Sequence, residues 1–281
     1  MMPLIDVQNL TVKYGPRTIL NAIDITVEEG EFICVLGQTG CGKSTLLRLI
    51  LGAEQPTSGR ILIDNLEHPR PDRARGYVPQ KYSLFPDRTV LDNITFGLEL
   101  TAFNLFTRWT PGFFRARRHY RKEALNYLLK LGLREQDAQK YPDELSGGMQ
   151  QRVAIAQALI NRPRILLMDE AFSALDPATR RETQSLMKYL WKENGFTAMF
   201  VTHNTREALL LGSRVIVLAK DHADSPSRIV LDEQVPQDWR HHEDAWIGRL
   251  EQASISESVE TPTTASRAFA TAKASGTTRQ R

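Results

Sequence analysis

Gly37 to Ser44 reads GQTGCGKS. Gly37, Gly40 and Gly42 let backbone N–H groups turn inward without Cβ clashes, and the stretch ends in a lysine and a hydroxyl. That combination is chemistry for phosphate. The run fits G-x-x-x-x-G-K-[ST], with the apolar strand-like FICVL before it and the helical TLLRLI after it. The helix start adds its positive end to the cradle formed by Gly37, Gln38, Thr39, Gly40, Cys41, Gly42, Lys43, Ser44 and Thr45. Lys43 can reach β and γ phosphates, and Ser44 can hold Mg²⁺. A carboxylate is still needed, and RILLMDE supplies two. After four apolar strand residues, Asp169 emerges at the C-terminal end and suits the metal. Glu170 follows and suits polarising an attacking water. Gln80, after GYVP, can reach the metal or that water. His203, ending TAMFVT, occupies a similar strand end and suits a γ-phosphate.

A second cradle is harder to place. LSGGMQQR, Leu145 to Arg152, sets two glycines behind a serine at a helix start but has no lysine. Ser146 can cap the helix, and its free N–H groups face an anion. Met149, Val153 and Ile160 share one helical face and would dock it. A complete phosphate loop already stands about a hundred residues earlier, and the residues alone leave open whose phosphate this second cradle serves.

These residues need elements to position them. Residues 4–35 alternate apolar and polar in short runs, read as strands with tight turns. A short strand RILID follows Gly59, then a polar stretch to Arg75. Residues 83–145 read as helix and loop. Beyond 145 helices and strands alternate, with RVIVLA and RIVLDE as the last strands, which implies a largely parallel sheet covered by helices. The expected fold is α/β: a core with a mostly parallel sheet, an antiparallel β subdomain at the N-terminal side, and a helical subdomain at about 83–160. The main domain spans 4–235, an extension 236–250, and a tail 251–281 poor in large apolar groups is expected to be disordered.

Bulk properties exclude other classes. The chain has 281 residues, 41% hydrophobic and 25% charged, enough for a core and ordinary for a globular protein. A net charge of +3 is too small to argue for nucleic acid. Two cysteines, Cys34 and Cys41, make no disulfide framework and read as reduced thiols of a cytosolic protein. The start MMPLIDVQNL carries no signal-peptide pattern, and no apolar run approaches the roughly 18 residues that span a bilayer.

Taken in order, Tyr14, the glycine loop 37–45, Gln80, LSGGMQQR, Asp169-Glu170, SALD at 173–176 and His203 resemble the ATP-binding subunit of ATP-binding-cassette (ABC) transporters. The likeness covers roughly residues 4 to 235. It implies two subunits pairing head to tail around two ATP molecules, with Mg²⁺, so that Ser146, Gly147, Gly148 and Gln150 serve the nucleotide on the other copy's Lys43. It implies that Tyr14 stacks on adenine and that Asp176, with Ser146, lies at the dimer interface. Asn204 departs from the family, where many relatives carry Asp. One cassette without fused spans is similar to bacterial importer ATPases. LGAEQPTSGRILID, YVPQ, LFPDRTVLDNITFGLEL and VTHNTREALLLGSRVIVL resemble the nitrate, sulfonate and taurine group. The partners implied are membrane permease subunits and a periplasmic binding protein, at the cytoplasmic face of the inner membrane, with no nucleic acid. A multi-subunit exporter or lipid transporter is the alternative within transport. A soluble ABC ATPase of repair or translation is the alternative outside it, although it usually carries two cassettes, coiled coils or zinc modules. An unrelated kinase or GTPase is disfavoured by LSGGMQQR and SALD.

Residues 101–122, TAFNLFTRWTPGFFRARRHYRK, hold no acid and many arginines and aromatics. They suit either an anionic headgroup surface or partner helix, or a surface insertion with its own small core.

Overall fold

In a computed structural model of the chain, residues 2–67, 70–81, 83–102, 111–222 and 224–255 are described. Ten strands form one sheet. They are β1 (Ile5–Tyr14), β2 (Arg17–Val27), β3 (Phe32–Leu36), β4 (Ser58–Ile63), β5 (Leu66–Glu67), β6 (Arg75–Val78), β7 (Ile165–Asp169), β8 (Thr197–Thr202), β9 (Arg214–Lys220) and β10 (Ser227–Gln234). Their order is β5-β4-β1-β2-β10-β9-β3-β8-β7-β6. From β9 through β3, β8 and β7 to β6 every pairing is parallel. The β1–β2, β1–β4 and β4–β5 pairings are antiparallel and build the N-terminal β layer, which β10 joins to the parallel strands by pairing antiparallel with β9 and parallel with β2.

The parallel strands are apolar on both faces because both are covered. Phe32, Cys34 and Leu36 of β3 join one core with Leu166, Met168, Ala198 and Phe200, while Ile33 and Val35 join the other with Ile165, Leu167, Met199 and Val201. This is the period-2 alternation of a strand dividing two hydrophobic layers. One layer lies under α1 (Lys43–Leu51) and the β layer. The other lies under the helices α2 (Val90–Ala102), α3 (Pro111–Lys130), α4 (Gly147–Leu159), α5 (Pro177–Asn194), α6 (Thr205–Leu211) and α7 (Glu243–Ile255).

Three expectations change. First, the polar stretch before Gln80 hides β6. Arg75 at its start is buried, donating to Ile50 O at 2.9 Å, to Arg70 O and to the Asp72 carboxylate at 2.8 Å, so a guanidinium sits where a strand pattern would show an apolar residue. Second, a tail starting at 251 is too early. α7 runs to Ile255 and anchors through Leu250, which is fully buried, with Trp246 and Ile247 packed beside it. Residues 256–281 lie outside the described residues. Third, within the basic-aromatic stretch 101–122, residues 111–122 are helical and begin α3, 101–102 end α2, and 103–110 lie outside the described residues. Arg117 pairs with Glu99 at 3.1 Å and Asp92 at 3.4 Å, and Arg121 with Asp92 at 2.5 Å, so part of the basic run is neutralised by α2. Arg115 and Arg118 remain exposed.

Candidate active site

The C-terminal ends of β3, β7, β8 and β6 lie along one rim of the parallel sheet, and each delivers one part of the site. After β3, the glycine loop enters α1 with Gly42 at φ 95°, in the left-handed region. A Cβ at Gly42 would lie 2.7 Å from Leu20 Cδ2. Only glycine therefore lets β2 close over the loop. Lys43 is buried, and its amine donates to Gly37 O at 2.7 Å and Gln38 O at 2.9 Å, strapping the loop in its curled shape. Cys41 is buried within this loop, and burial pushes its thiol up, with Lys43 opposing.

From β7, Asp169 accepts from Ser44 Oγ at 2.9 Å and from Tyr77 OH at 3.4 Å. Burial first, then the Asp169 charge, pushes the Tyr77 phenol up to about 12, so it remains a proton donor at neutral pH. Glu170 turns away from the strand at φ 45°. A carboxylate residue there stores about 1–3 kcal/mol of backbone strain, of the kind that gathers at functional sites. Its carbonyl is held by the amide of Ser173 at 3.0 Å and the hydroxyl of Ser173 at 2.9 Å. One carboxylate oxygen accepts from Gln80 Nε2 at 3.0 Å, and the other lies 3.4 Å from Nδ1 of His203, whose side chain is 56% exposed. The structure thus brings together Lys43, Ser44, Gln80, Asp169, Glu170 and His203. Beside the loop, a cleft of about 630 Å³ is lined by Gly37, Gln38, Thr39, His203, Asn204 and Arg206, with Ile247 and Glu251 of α7 on its far wall.

Asn204 caps α6, accepting from Glu207 N at 3.1 Å. Asn and Asp are near-equal caps, which gives this departure from the family pattern a local role. Tyr14 is half exposed at the end of β1, with its hydroxyl bonded to Glu54, which also pairs with Arg48.

The signature residues are held apart from this group. Ser146 caps α4, accepting from Met149 N at 3.3 Å, while Val153 and Ile160 are buried and Met149 packs against the same core. Among the described residues no hydrogen bond or ion pair joins Ser146, Gly147 or Gly148 to residues 37–45. Gln150 turns back, donating to Pro142 O at 2.8 Å and Leu145 O at 3.3 Å, and so braces the turn before the helix. Gly148 has a different reason to be glycine than anion approach alone: a Cβ would meet Thr179 Cγ2 at 2.4 Å, on the first turn of α5. Asp176 caps α5, accepting from Ala178 N and Thr179 N at 3.1 Å each. Bonds to Thr179, the side-chain one first, hold its carboxyl below the usual range.

Sequence reasoning missed three positioning residues. Tyr77 carries no signal in GYVP. Ser173 appeared only as part of SALD. Arg180 looks like surface charge in ATRRE, yet it donates to three carbonyls, Phe172 O at 3.1 Å, Ser173 O at 3.1 Å and Leu175 O at 2.9 Å. It knits the loop between Glu170 and Asp176.

Known proteins resemble this chain in sequence and in fold. Residues 20–173 match the family described as ABC transporter. The spermidine/putrescine import ATP-binding protein PotA of Pasteurella multocida is 39% identical over 223 residues, covering 78% of this chain and 57% of PotA. The chain thus spans little more than half the length of that relative. The uncharacterized ABC transporter ATP-binding protein MJ0412 of Methanocaldococcus jannaschii is 42% identical over 236 residues, covering 83% of this chain and 84% of that one. Among solved structures, the ATP-binding cassette MJ0796, in a dimeric post-hydrolysis state bound to ADP and Pi, superposes with a TM-score of 0.69 at 32% identity, over 83% of this chain and 99% of that one. CbiO1 of Clostridium perfringens, described as part of the transporter complex cbiONQ, gives a TM-score of 0.69 at 27% identity, over 90% of this chain and 95% of that one. With fold, motif geometry and relatives in agreement, the chain belongs to the ABC transporter family as an ATP-binding cassette.

Proposed function

We propose that this chain hydrolyses ATP to power a bacterial importer, acting as a pair whose two nucleotide sites are each shared between copies. The observation that carries the reading is a separation. The strand rim gathers Lys43, Ser44, Asp169, Glu170, Gln80 and His203, while the capped start of α4 presents exposed Ser146 and Gly147 elsewhere on the same chain. A helix start with free N–H groups and no cation of its own suits the γ-phosphate of a nucleotide held by a second copy. The dimeric state of the solved cassette MJ0796 supports the pairing.

Within such a site Lys43 exchanges its two carbonyl partners for phosphate oxygens. Glu170, fixed by Gln80 on one side and His203 on the other, orients water for in-line attack. His203 donates to the γ-phosphate and stabilises its developing charge. The Ser44 hydroxyl, the Asp169 carboxylate and the Gln80 amide oxygen form a hard donor set that fits Mg²⁺, and Ser44 and Asp169 are already in contact. When bound, that ion neutralises charge on the β and γ phosphate oxygens. Tyr14 offers its exposed ring face to adenine.

Import is the direction favoured by the relatives named for spermidine/putrescine import; on this reading separate membrane subunits carry the cargo and a periplasmic binding protein supplies it. No described helix is long and apolar enough to cross a membrane. On this reading the chain acts at the cytoplasmic face, held there by its membrane partners. The cargo is finer still. Sequence likeness points to a small anion such as nitrate, a sulfonate or taurine, whereas the named relatives handle polyamines.

The test is ATP-driven pairing followed by size-exclusion chromatography. Glu170→Gln should bind ATP, elute as a dimer and turn over at least about a hundredfold more slowly than wild type. Adding Gly147→Asp should abolish the dimer while ATP binding by the protomer stays within about threefold. A Gly147→Asp, Glu170→Gln protein that still dimerises with ATP would sink the shared-site reading.

A further inference from the structure

At the edge of the sheet opposite the nucleotide rim, a cleft of about 410 Å³ opens between the end of α5, the turn from α6 to β9 and the segment after β10. Lys188 and Lys192 come from α5 and Arg240 from the turn before α7, and the lining residues include no carboxylate. None of the three cations has an ion-pair partner among the described residues. Lys188 spends one N–H on Leu210 O at 2.6 Å. Two tryptophans make firm walls. Trp191 donates to Gly30 O at 3.1 Å and meets Phe32 edge-on at 5.6 Å, and Trp239 is buried beneath the Arg240 guanidinium at 5.5 Å.

We propose that this cleft binds a small organic anion, a phosphate or carboxylate head on a flat apolar body, with Lys188, Lys192 and Arg240 around the head and Trp191 and Trp239 against the body. Burial, then the charges of Lys192 and Arg240, hold the Lys188 amine below its usual range, as expected when cations converge without an anion. Lysines near a helix C-terminus need no ligand by themselves, because the helix dipole favours them there. Arg240 comes from a different segment; stacking on its neighbour Trp239 holds it there, and its guanidinium N–H groups still meet no carboxylate among the residues that line the cleft. The volume suits a small-molecule site lined by aromatics and a few placed polar groups. The cleft lies at the starts of β3 and β9, away from the strand ends that carry Lys43 and Asp169, so the nucleotide site and this one can fill independently.

Trp191 and Trp239 supply the readout. With ADP and Mg²⁺ saturating the nucleotide site, phenyl phosphate and benzoate are titrated while tryptophan fluorescence is followed, and benzyl alcohol serves as the uncharged control. The expected result is a saturable change with at least one of the two anions, and the tighter one identifies the head group. In the Lys192→Gln, Arg240→Gln variant the dissociation constant should rise about tenfold or more, while the melting temperature and basal ATPase rate hold. These two side chains are exposed and bond no backbone, so this pair keeps the test informative even if Lys188→Met fails to fold. Absence of saturation with both anions, equal binding by the double variant, or binding of benzyl alcohol as tight as that of the anions would overturn the proposal.

Discussion

Glu170, proposed above to orient the attacking water, shows how much of such a position is built by neighbours that bond only backbone. Its backbone strain persists because Ser173 clamps its carbonyl, and Ser173 is in turn held through its own carbonyl by Arg180. Arg180→Met removes donors from three carbonyls at once. It should destabilise the fold by about 1–3 kcal/mol in urea denaturation and lower kcat more than it raises KM for ATP. Arg180→Lys should recover little of either, since one ammonium cannot span the three carbonyls. An unchanged kcat in Arg180→Met would show that the loop holds Glu170 without it. At this scale the sequence was legible in placement: strand ends and the glycine loop named Lys43, Ser44, Asp169, Glu170, Gln80 and His203 as neighbours, and the structure gathers them on one rim. Arg180 and Ser173 were not, because their task is to bond backbone carbonyls, and no residue pattern marks a carbonyl that needs a donor.

Helix starts organise the next level. The first turns of α4 and α5 touch at Gly148 and Thr179, so Ser146 and Asp176, the two caps, are positioned by one contact. Gly148→Ala drives a methyl to within 2.4 Å of Cγ2 of Thr179, a β-branched side chain stiff at χ1. The expected cost is about 1–3 kcal/mol together with loss of ATP-driven pairing, and Thr179→Ser, which removes the obstructing methyl, should restore both. A full rescue failure would place the role of Gly148 outside this contact. A second cap tests pH dependence. Asp137 accepts from Lys140 Nζ at 2.6 Å and Arg134 N at 2.9 Å, and Lys140 first among these holds its carboxyl below the usual range against burial. Its contribution is therefore full above the unfolded carboxylate pKa near 4 and fades as pH falls through the lower folded value. Asp137→Asn should melt below wild type at pH 7 by about 1 kcal/mol, with the gap closing below about pH 4. A gap independent of pH would reject the carboxylate as its source. Strands and helices of clear period were readable here. β6 was not, because a buried arginine opens it, and α7 was not, because its buried face reduces to Leu250 with Trp246 and Ile247 beside it.

The whole molecule is one sheet between two hydrophobic layers, and α7 fastens the C-terminal end of the described chain onto it beside the glycine-loop cleft. Leu250→Ala should therefore cost about 2–4 kcal/mol of global stability in chemical denaturation, a core-sized loss from a position the sequence offered as mere extension. A loss under about half a kcal/mol would mean that α7 is only loosely attached. Both cysteines of the chain lie inside these layers, Cys34 fully buried and Cys41 2% exposed, and burial pushes both thiols up. A thiol kept protonated and out of solvent reacts poorly with maleimides. The natural sequence is thus a near-silent background for site-directed labelling: a single cysteine introduced at an exposed position can carry a dye or spin label, and distances between copies can be followed through a nucleotide cycle without first removing a native residue.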